Sequence, residues 1–291
     1  MADPYPNFDM ATQHDGTEQI SINNTFLRRL WILLALKTTA RFFKRDIPCY
    51  PISKHIVVKT GPFVHLTEAA TMHFLSANTN ILIPRIYCSF VHENRAYIAM
   101  ERLQGVSAGA AWPSLSETDR AGMLEQLKTM VRELRSLTPP SGIGVASCVG
   151  GSLTDSRIPR SNPRFGPFPS IQGFHRWLRE DFQPEDRPTR PEDQDWKDIK
   201  DMVVEQDGHW TPPVFTHGDL NPSNIFVQGN QVVGIIDWEF AGWYPSYWEY
   251  TAAWYGNRTR LPWQKLLEKF LDPCPRELKM EITRQRWWGD F

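Results

Sequence analysis

Asp219 and Asn224 lie five positions apart in residues 215–227, where a cluster of polar side chains stands between apolar flanks. Gly218 and Pro222 mark this stretch as a sharp loop. A loop aspartate can orient a hydroxyl group and take up its proton, and the amide oxygen of an asparagine can bind a cation. The loop is therefore a candidate site for chemistry on a bound molecule.

The residues after this loop predict a β-hairpin that brings a second carboxylate beside it. Two short apolar runs, 225–227 and 232–236, are joined by a Gly-Asn turn, and Asp237 follows the second run. A hairpin of this kind places Asn224 and Asp237 at the same end of two paired strands. Oxygen ligands of this type suit magnesium, which keeps several waters and takes its other ligands from nucleotide phosphates. The alternative is a polar hairpin whose side chains only satisfy loop backbone groups.

The complete pattern resembles the signature of the aminoglycoside phosphotransferase and choline kinase-like family, a branch of the protein-kinase-like fold. It reads His217-Gly-Asp219-Leu-Asn-Pro-Ser-Asn224, followed by Ile-Ile-Asp237-Trp-Glu. Protein kinases have His-Arg-Asp, an Asn five residues after the Asp, and then Asp-Phe-Gly. The resemblance implies that Asp219 is the catalytic-loop aspartate and that Asn224 and Asp237 bind magnesium. We expect His217 to brace the loop by hydrogen bonds.

Residues 47–103 alternate short β runs with one helix. The predicted strands are 55–60, 86–91 and 96–101, and the predicted helix is 66–76. The first strand carries Lys59, and Glu68 lies in the first helical turn behind Thr67, the expected N-cap. This order resembles the small nucleotide-binding lobe of the kinase-like fold. The resemblance implies that Lys59 contacts the α- and β-phosphates and pairs with Glu68, and that Glu101 and Leu103 belong to the hinge that receives the adenine base.

One feature of the kinase pattern is missing from the chain. No glycine occurs between Gly16 and Gly61, so no glycine-rich loop precedes Lys59. Protein kinases use such glycines to bring backbone N–H groups close to the phosphates. The alternatives of a nucleotide-binding pseudokinase, and of a kinase-like fold that acts differently on a small metabolite, therefore stay open.

Residues after Gly105 are mostly helical in pattern. Ser116 is the expected N-cap of a helix that reaches residue 137. Residues 150–169 are rich in Gly, Ser, Pro and Arg and predict a long surface loop. The loop carries Arg157, Arg160 and Arg164, which could contact phosphate but are expected to be solvated. A final helix is expected to dock near the C-terminus.

Residues 238–263 are dense in aromatic side chains, most of which are expected in the core. Those nearest Asp237 could instead form a wall for an apolar or quaternary ammonium acceptor. Residues 176–207 carry eleven acidic against six basic side chains, which would attract a cationic acceptor or be a solvated face. Glu239 and Glu249 are the acidic residues nearest the aromatic wall. Glu239 could approach the metal or the acceptor, or only pair with a basic side chain.

The first 43 residues have two parts. Residues 1–22 predict a disordered or loosely packed tail. Residues 25–43 predict a helix whose apolar run, 30–36, is too short for a bilayer, which needs about 20 residues. The basic flanks and Trp31 allow a membrane-surface helix, but we expect the helix to pack on the folded domain.

Composition excludes several classes of function. The formal net charge is −1, so no overall positive field attracts nucleic acid. The four cysteines are scattered without a Cys-x-x-Cys pair, and no apolar targeting segment opens the chain. These features favour a cytoplasmic protein without stable membrane insertion.

The sequence therefore predicts an α/β (α+β) two-lobed kinase-like fold. The expected organisation is a tail over 1–22, a β-rich N-lobe with a leading helix over 23–104, and a larger helical C-lobe over 105–291. The expected activity is ATP- and Mg²⁺-dependent transfer of the γ-phosphoryl group to a hydroxyl of a small molecule. The acceptor, the preference for ATP over GTP and the oligomeric state stay open.

Overall fold

The computed structural model describes residues 9–44, 46–158, 163–187 and 192–289. Within these ranges a β-sheet lobe precedes a mainly helical lobe. The strands are β1 Cys49–Pro51, β2 Ile56–Gly61, β3 Ile86–His92, β4 Arg95–Glu101, β5 Val106–Ser107, β6 Val214–Thr216, β7 Ile225–Gln228, β8 Gln231–Ile235 and β9 Gly242–Tyr244. The helices are α1 Phe26–Lys37, α2 Leu66–Asn78, α3 Ala108–Ala111, α4 Glu117–Arg135, α5 Ile171–Leu178, α6 Gln194–Asp207, α7 Trp248–Gly256, α8 Leu261–Gln264 and α9 Pro275–Trp288.

The N-lobe sheet is antiparallel with strand order β1-β2-β4-β3. Side chains alternate between its two faces because successive residues of a strand point to opposite sides. Val58 packs with Ile32 of α1 on one face, whereas the next residue, Lys59, reaches Glu68 of α2 on the other. One strand therefore supplies both a core contact and a polar side chain for the opposite face.

The N-cap predicted for α4 is confirmed, and the one predicted for α2 is wrong. Ser116 caps α4 as predicted, since its side chain accepts from the Asp119 N–H. Helix α2 begins at Leu66 as predicted, but its N-cap is His65 and not Thr67, because the His65 ring accepts the Thr67 N–H. The Thr67 hydroxyl bonds the His65 ring at 2.6 Å and accepts from the guanidinium of Arg164 at 3.3 Å.

Residues 9–22, the part of the predicted tail that the structure describes, pack against the N-lobe. Gln13 donates to the Pro62 carbonyl at 2.7 Å, and the ring of His14 stacks on that of His65. Ile22 forms a reciprocal pair of hydrogen bonds with Ser89 of β3. The expectation of loose packing is therefore wrong for these residues, because their polar groups find partners far along the chain.

The connector between the lobes is residues 102–105. Its Arg102 N–H donates to the His55 carbonyl at 2.8 Å. Gly105 has φ +153°, and a Cβ there would lie 2.7 Å from the carbonyl oxygen of Val227. The connector thus runs against the backbone of β7, and only glycine permits this approach.

The C-lobe core holds small sheets among helices. Strand β5 pairs with β7, and β7 pairs with β8 across the predicted Gly-Asn turn. Strand β6 pairs with β9. Helix α9 packs on α6 as the expected final helix. These pairings fix both the loop that precedes β7 and the residue that follows β8, and these two points carry the candidate site.

The segment 150–169 differs from its prediction. It is a loop with bridges to neighbouring backbone, but both arginines that the structure describes there are paired within the protein. Arg164 is buried and donates to Ser152, while Arg157 forms an ion pair with the buried Asp155. Arg160 lies outside the described residues. The error arose because polar composition reports the type of side chain and not the partners that the fold brings to it.

Helix α1 packs on the outer face of the N-lobe sheet, as expected. Ile32 and Ala35 are buried against the sheet. The opposite face of the helix carries exposed apolar side chains, which are Phe26, Leu27, Leu30, Trp31 and Leu34. Among the described residues, no helix is long and apolar enough to span a bilayer.

Candidate active site

Lys59 stands at the centre of a cluster of carboxylates. Its ammonium lies 2.9 Å from Glu68 of α2, 2.5 Å from Asp237 after β8 and 3.1 Å from Glu239. Glu68 comes from α2, whereas Asp237 and Glu239 lie two residues apart after β8, and one oxygen from each can be chosen so that all lie within 4.8 Å of one another. Because one positive charge faces three carboxylates, the fully ionised cluster carries a net charge of −2.

Burial shapes the electrostatics of this cluster. Burial opposes the charge on Lys59, but Glu68, Asp237 and Glu239 together raise the pKa of Lys59 well above its usual value. Burial also raises the pKa of Glu68 and that of Glu239, and the charge of Lys59 opposes both rises. The lysine is therefore cationic, and an added cation would relieve the repulsion among its partners.

Asp237 is positioned by the hairpin that the sequence predicts. Ile225 pairs with Ile235, and the Ile236 N–H donates to the Asn224 carbonyl at 2.9 Å. Asp237 then adopts a left-handed conformation, with φ 67° and ψ 59°. This conformation is uncommon outside glycine and is tolerated best by Asn and Asp. It turns the chain at the end of β8, where the Asp237 carboxylate meets Lys59.

Asp219 and Asn224 meet in the loop before β7. The Asn224 amide donates to Asp219 Oδ2 at 2.9 Å and to the Asp219 carbonyl at 3.0 Å. Asn221 donates to the same Oδ2 at 3.0 Å. The other oxygen, Oδ1, lies 3.3 Å from the point where a Cβ on Gly256 would stand. One carboxylate oxygen is thus held by amides, and the other borders the end of α7.

Two buried side chains hold the backbone of this loop. Glu249 of α7 accepts from the His217 N–H at 2.6 Å and from the Gly218 N–H at 3.1 Å. Burial raises the pKa of Glu249, whereas His217 and the two N–H groups favour its charged form. The ring of His217 accepts from the Asp219 N–H through Nδ1, so its Nε2 donates to the Ile236 carbonyl at 3.0 Å. The prediction that His217 braces the loop is confirmed.

Arg157 adds a third support from outside the loop. Its guanidinium binds Asp155 and donates to the Gly218 carbonyl, and it lies over the ring of Phe240. Sequence reasoning placed Arg157 in a solvated surface loop and Glu249 at an aromatic wall. Their bonds to the loop span 61 and about 31 positions, so no local spacing could have indicated them.

The predicted hinge lies at the connector. Glu101 ends β4, and both its backbone N–H and its side chain bond to Arg85. Leu103 lies over β8, where a Cβ on Gly234 would meet Leu103 Cδ1 at 2.3 Å. The N–H and C=O of Leu103 have no backbone partner in the part of the chain that the structure describes.

The turn between β1 and β2 occupies the place of the missing glycine-rich loop. Ser53 Oγ accepts from the His55 N–H at 3.1 Å and from the Ile56 N–H at 3.0 Å. These backbone donors are consumed within the turn, so they do not point to a ligand as the amides of a glycine-rich loop do.

The aromatic-rich region is mainly core, as expected. Trp238, Trp243, Tyr244, Tyr247 and Trp248 are buried. Phe240, Trp254 and Tyr255 are half-buried and lie in the elements nearest the loop. Within the described part of the chain, five of the eleven acidic side chains in 176–207 form ion pairs, which are Glu192, Asp195, Asp198, Glu205 and Asp207. The solvated, paired face therefore accounts for much of this acidic run.

Residues 65–277 match the family model described as the phosphotransferase enzyme family, APH. The chain belongs to this family. The match covers most of the chain and includes the loop carrying Asp219, α7 and the hairpin. It begins after Lys59, so the first two strands of this phosphotransferase lie outside it. No curated protein matches the chain.

Solved structures share the fold of this phosphotransferase. A thermostable mutant of aminoglycoside phosphotransferase APH(4)-Ia, in a ternary complex with ADP and hygromycin B, is 12% identical with a TM-score of 0.54, and the alignment covers 83% of this chain and 82% of that chain. Another variant of the thermostable mutant, in a ternary complex with AMP-PNP and hygromycin B, is 13% identical with a TM-score of 0.53, and the alignment covers 83% of this chain and 82% of that chain. A crystal structure of aminoglycoside phosphotransferase APH(4)-Ia is 15% identical with a TM-score of 0.51, and the alignment covers 83% and 81%.

The predicted family and fold are confirmed. The protein is a member of the phosphotransferase enzyme family, built on the two-lobed kinase-like fold.

Proposed function

We propose that this phosphotransferase uses ATP and Mg²⁺ to phosphorylate a hydroxyl group of a small molecule. The observation that carries the proposal is the Lys59 cluster, in which three carboxylates surround one ammonium. The loop carrying Asp219 precedes β7, and Asp237 follows its partner strand β8. A site for phosphates and a site for the acceptor would thus share one hairpin.

The residues present fit a magnesium ion. Asp237 and Glu239 offer carboxylate oxygens, and Asn224 directs its NH₂ group to Asp219, which leaves its amide oxygen for a cation. Magnesium prefers such hard oxygen ligands and binds with nucleotide phosphates. When bound, it would supply positive charge against the phosphates. Asn224 and Asp237 are the proposed ligands, and Glu239 is a third carboxylate beside them.

Lys59, steadied by Glu68, would contact the α- and β-phosphates. The hinge between Glu101 and Leu103 would receive the base, for which the unpaired backbone groups of Leu103 are the supporting observation. Ternary complexes of the related fold contain ADP or AMP-PNP. They support a nucleotide as the donor.

Asp219 is the proposed catalytic residue. Two amides hold its Oδ2, so Oδ1 is the oxygen that would accept a hydrogen bond from the acceptor hydroxyl. As the hydroxyl oxygen attacks the γ-phosphorus, the bond from the γ-phosphorus to the bridging oxygen of ADP would break, and Asp219 would take up the proton of the hydroxyl. Because phosphoryl transfer is mainly positioning and charge stabilisation, a rigid loop matters as much as the basicity of this carboxylate.

The pseudokinase alternative has one observation in its favour, the β1–β2 turn whose N–H groups bond Ser53. A binding module would take up Mg-ATP without acceptor-dependent turnover. The test is release of ADP with a panel of aminoglycosides, amino alcohols and sugars, in Mg²⁺ and in EDTA. We expect Mg²⁺-dependent release with at least one acceptor class. Tight Mg-ATP binding without turnover across the panel would favour the pseudokinase.

The variant Asp219→Asn tests the catalytic role directly. It preserves shape and removes the proton acceptor. A positioned general base contributes about 10²–10⁴-fold to a rate, so we expect turnover to fall by that order while Mg-ATP affinity stays near that of the wild type. Full turnover in this variant would remove Asp219 from the catalytic role.

A further inference from the structure

Helix α1 has two apolar faces, only one of which the protein covers. Ile32 and Ala35 pack on the N-lobe sheet. On the opposite side, Phe26 and Leu27 are 76% and 74% exposed, and Leu30, Trp31 and Leu34 are each about half exposed. These five positions fall on one side of a helix with 3.6 residues per turn. Contiguous exposed apolar surface of this kind marks an interaction site.

The surroundings of this face are basic. Residues 19–45 contain six Lys or Arg and no Asp or Glu, although the whole chain carries 32 basic and 33 acidic side chains. The rest of the chain therefore has 26 basic against 33 acidic residues. Arg28, Lys37, Arg41 and Lys44 are exposed around the helix, and Phe42 extends the apolar surface at its end with 76% exposure.

We infer that α1 and Phe42 form a docking face for an anionic lipid surface. A helix that lies in a membrane interface combines an apolar face having Trp, Phe and Leu with Lys and Arg on its flanks. Anionic headgroups complement the exposed basic residues around the helix. A second copy of the chain fits less well, because two such faces would bring together Arg28, Lys37, Arg41 and Lys44 of both copies.

The geometry leaves the catalytic site free in this orientation. Val58 faces α1, whereas Lys59 faces α2, so the sheet separates the proposed lipid face from the Lys59 cluster. A protein resting on α1 would therefore keep its nucleotide cluster away from the membrane. The inference does not depend on the identity of the phosphoryl donor.

The test is flotation of the full chain with vesicles of phosphatidylcholine alone and of phosphatidylcholine with phosphatidylglycerol. We expect binding to the anionic vesicles, weakened by 0.5 M salt. The triple variant Leu27→Gln/Leu30→Gln/Leu34→Gln removes apolar contacts without touching the buried face, so binding should fall at least about tenfold. Arg28→Gln and Lys37→Gln should each weaken it roughly fivefold.

The matched control is Val204→Gln, which changes an exposed apolar residue of α6 and should leave vesicle binding unchanged. Circular dichroism and ADP release in the absence of vesicles check that the triple variant is folded. Absence of binding in the wild type, or full binding in the triple variant, would overturn the inference. So would a dimer in sedimentation velocity that the triple variant abolishes, since that result assigns the face to self-association.

Discussion

The two halves of the candidate site are held by different forces. The Lys59 cluster depends on charge, with one ammonium among Glu68, Asp237 and Glu239. The Asp219 loop depends mainly on hydrogen bonds to its backbone, from Glu249, Arg157 and the His217 ring. The first half carries excess negative charge, whereas the second has its backbone groups satisfied within the protein.

This difference indicates how each half should respond to ligands. Repulsion among the three carboxylates falls when a cation binds, so the Lys59 cluster should gain stability with Mg-ATP. The loop is already ordered by buried partners and should change little. Substitutions in the first half should therefore affect binding of the nucleotide, and substitutions in the second should affect turnover and folding.

The largest effect is expected for Asp237→Ala. The variant loses the carboxylate at the end of β8 that contacts Lys59 and is the proposed charged metal ligand. We expect loss of Mg-dependent ATP binding and of activity together. Calorimetry of Mg-ATP binding is the measurement. An affinity equal to that of the wild type would exclude Asp237 from the metal site.

The next largest effect is expected from replacing a glutamate by glutamine in each half of the site, at Glu249 for the Asp219 loop and at Glu239 for the Lys59 cluster. Glu249→Gln replaces an anion that accepts two backbone N–H groups. The amide satisfies them less well, so we expect a loss of about 1–3 kcal/mol in unfolding free energy and lower turnover, with Mg-ATP affinity retained. Glu239→Gln should show the opposite pattern, with weaker Mg-ATP binding and a smaller loss of stability. Urea unfolding and calorimetry of Mg-ATP binding on both variants provide the test. Equal changes in unfolding free energy and in Mg-ATP affinity for the two variants would contradict this prediction.

A smaller effect is expected from coupling within the first half. Lys59→Ala and Glu68→Ala both disturb the same ion pair, so their effects on kcat/KM should be strongly non-additive. The double-mutant cycle should give a coupling of about 0.5–3 kcal/mol. As a control, Lys59→Ala combined with Glu249→Gln pairs residues from different halves and should be closer to additive. Additive free energies for Lys59 and Glu68 would mean that the pair does not act together.

The smallest effect concerns a buried histidine in each lobe. Burial lowers the pKa of His65 to about 2 and that of His175 to about 3, from 6.5 in the unfolded chain. Each neutral ring therefore contributes stability that is complete above pH 6.5 and is lost as the pH falls below it. The loss is about 1.4 kcal/mol per pH unit for each ring at most.

Urea unfolding between pH 7 and pH 5.5 measures this dependence. His175→Gln should reduce the pH slope of the unfolding free energy by on the order of 1 kcal/mol over that interval, and His65→Gln should do the same. A variant that keeps the full wild-type slope would show that its histidine does not carry the effect.

Local patterns predicted the parts of the site that local geometry determines. The Gly-Asn turn fixes the register of β7 and β8, so the sequence predicts where Asn224 and Asp237 emerge. The contact between Lys59 and Glu68 followed from strand and helix order combined with the family resemblance. Their proposed roles with nucleotide and metal stay predictions.

Long-range partners could not be read from the sequence. Arg157 binds the loop from 61 positions away, and Gln13 reaches Pro62 across 49. The sequence of helix α1 has apolar residues on two faces, and this pattern does not predict which face the sheet covers. In each instance the residue type and its local sequence do not identify the partner, which only the tertiary structure brings into contact.

The connector has a mechanical consequence for movement between the lobes. Only residues 102–105 separate β4 from β5, and Arg102 is bonded to the N-lobe at His55 while Gly105 touches the backbone of Val227. A swing of one lobe would therefore bend the chain about Leu103 and pull directly on β7, the strand that follows Asn224. If the lobes opened to exchange a nucleotide, the movement would be transmitted to the β7–β8 hairpin. The short connector therefore couples the movement of the two lobes.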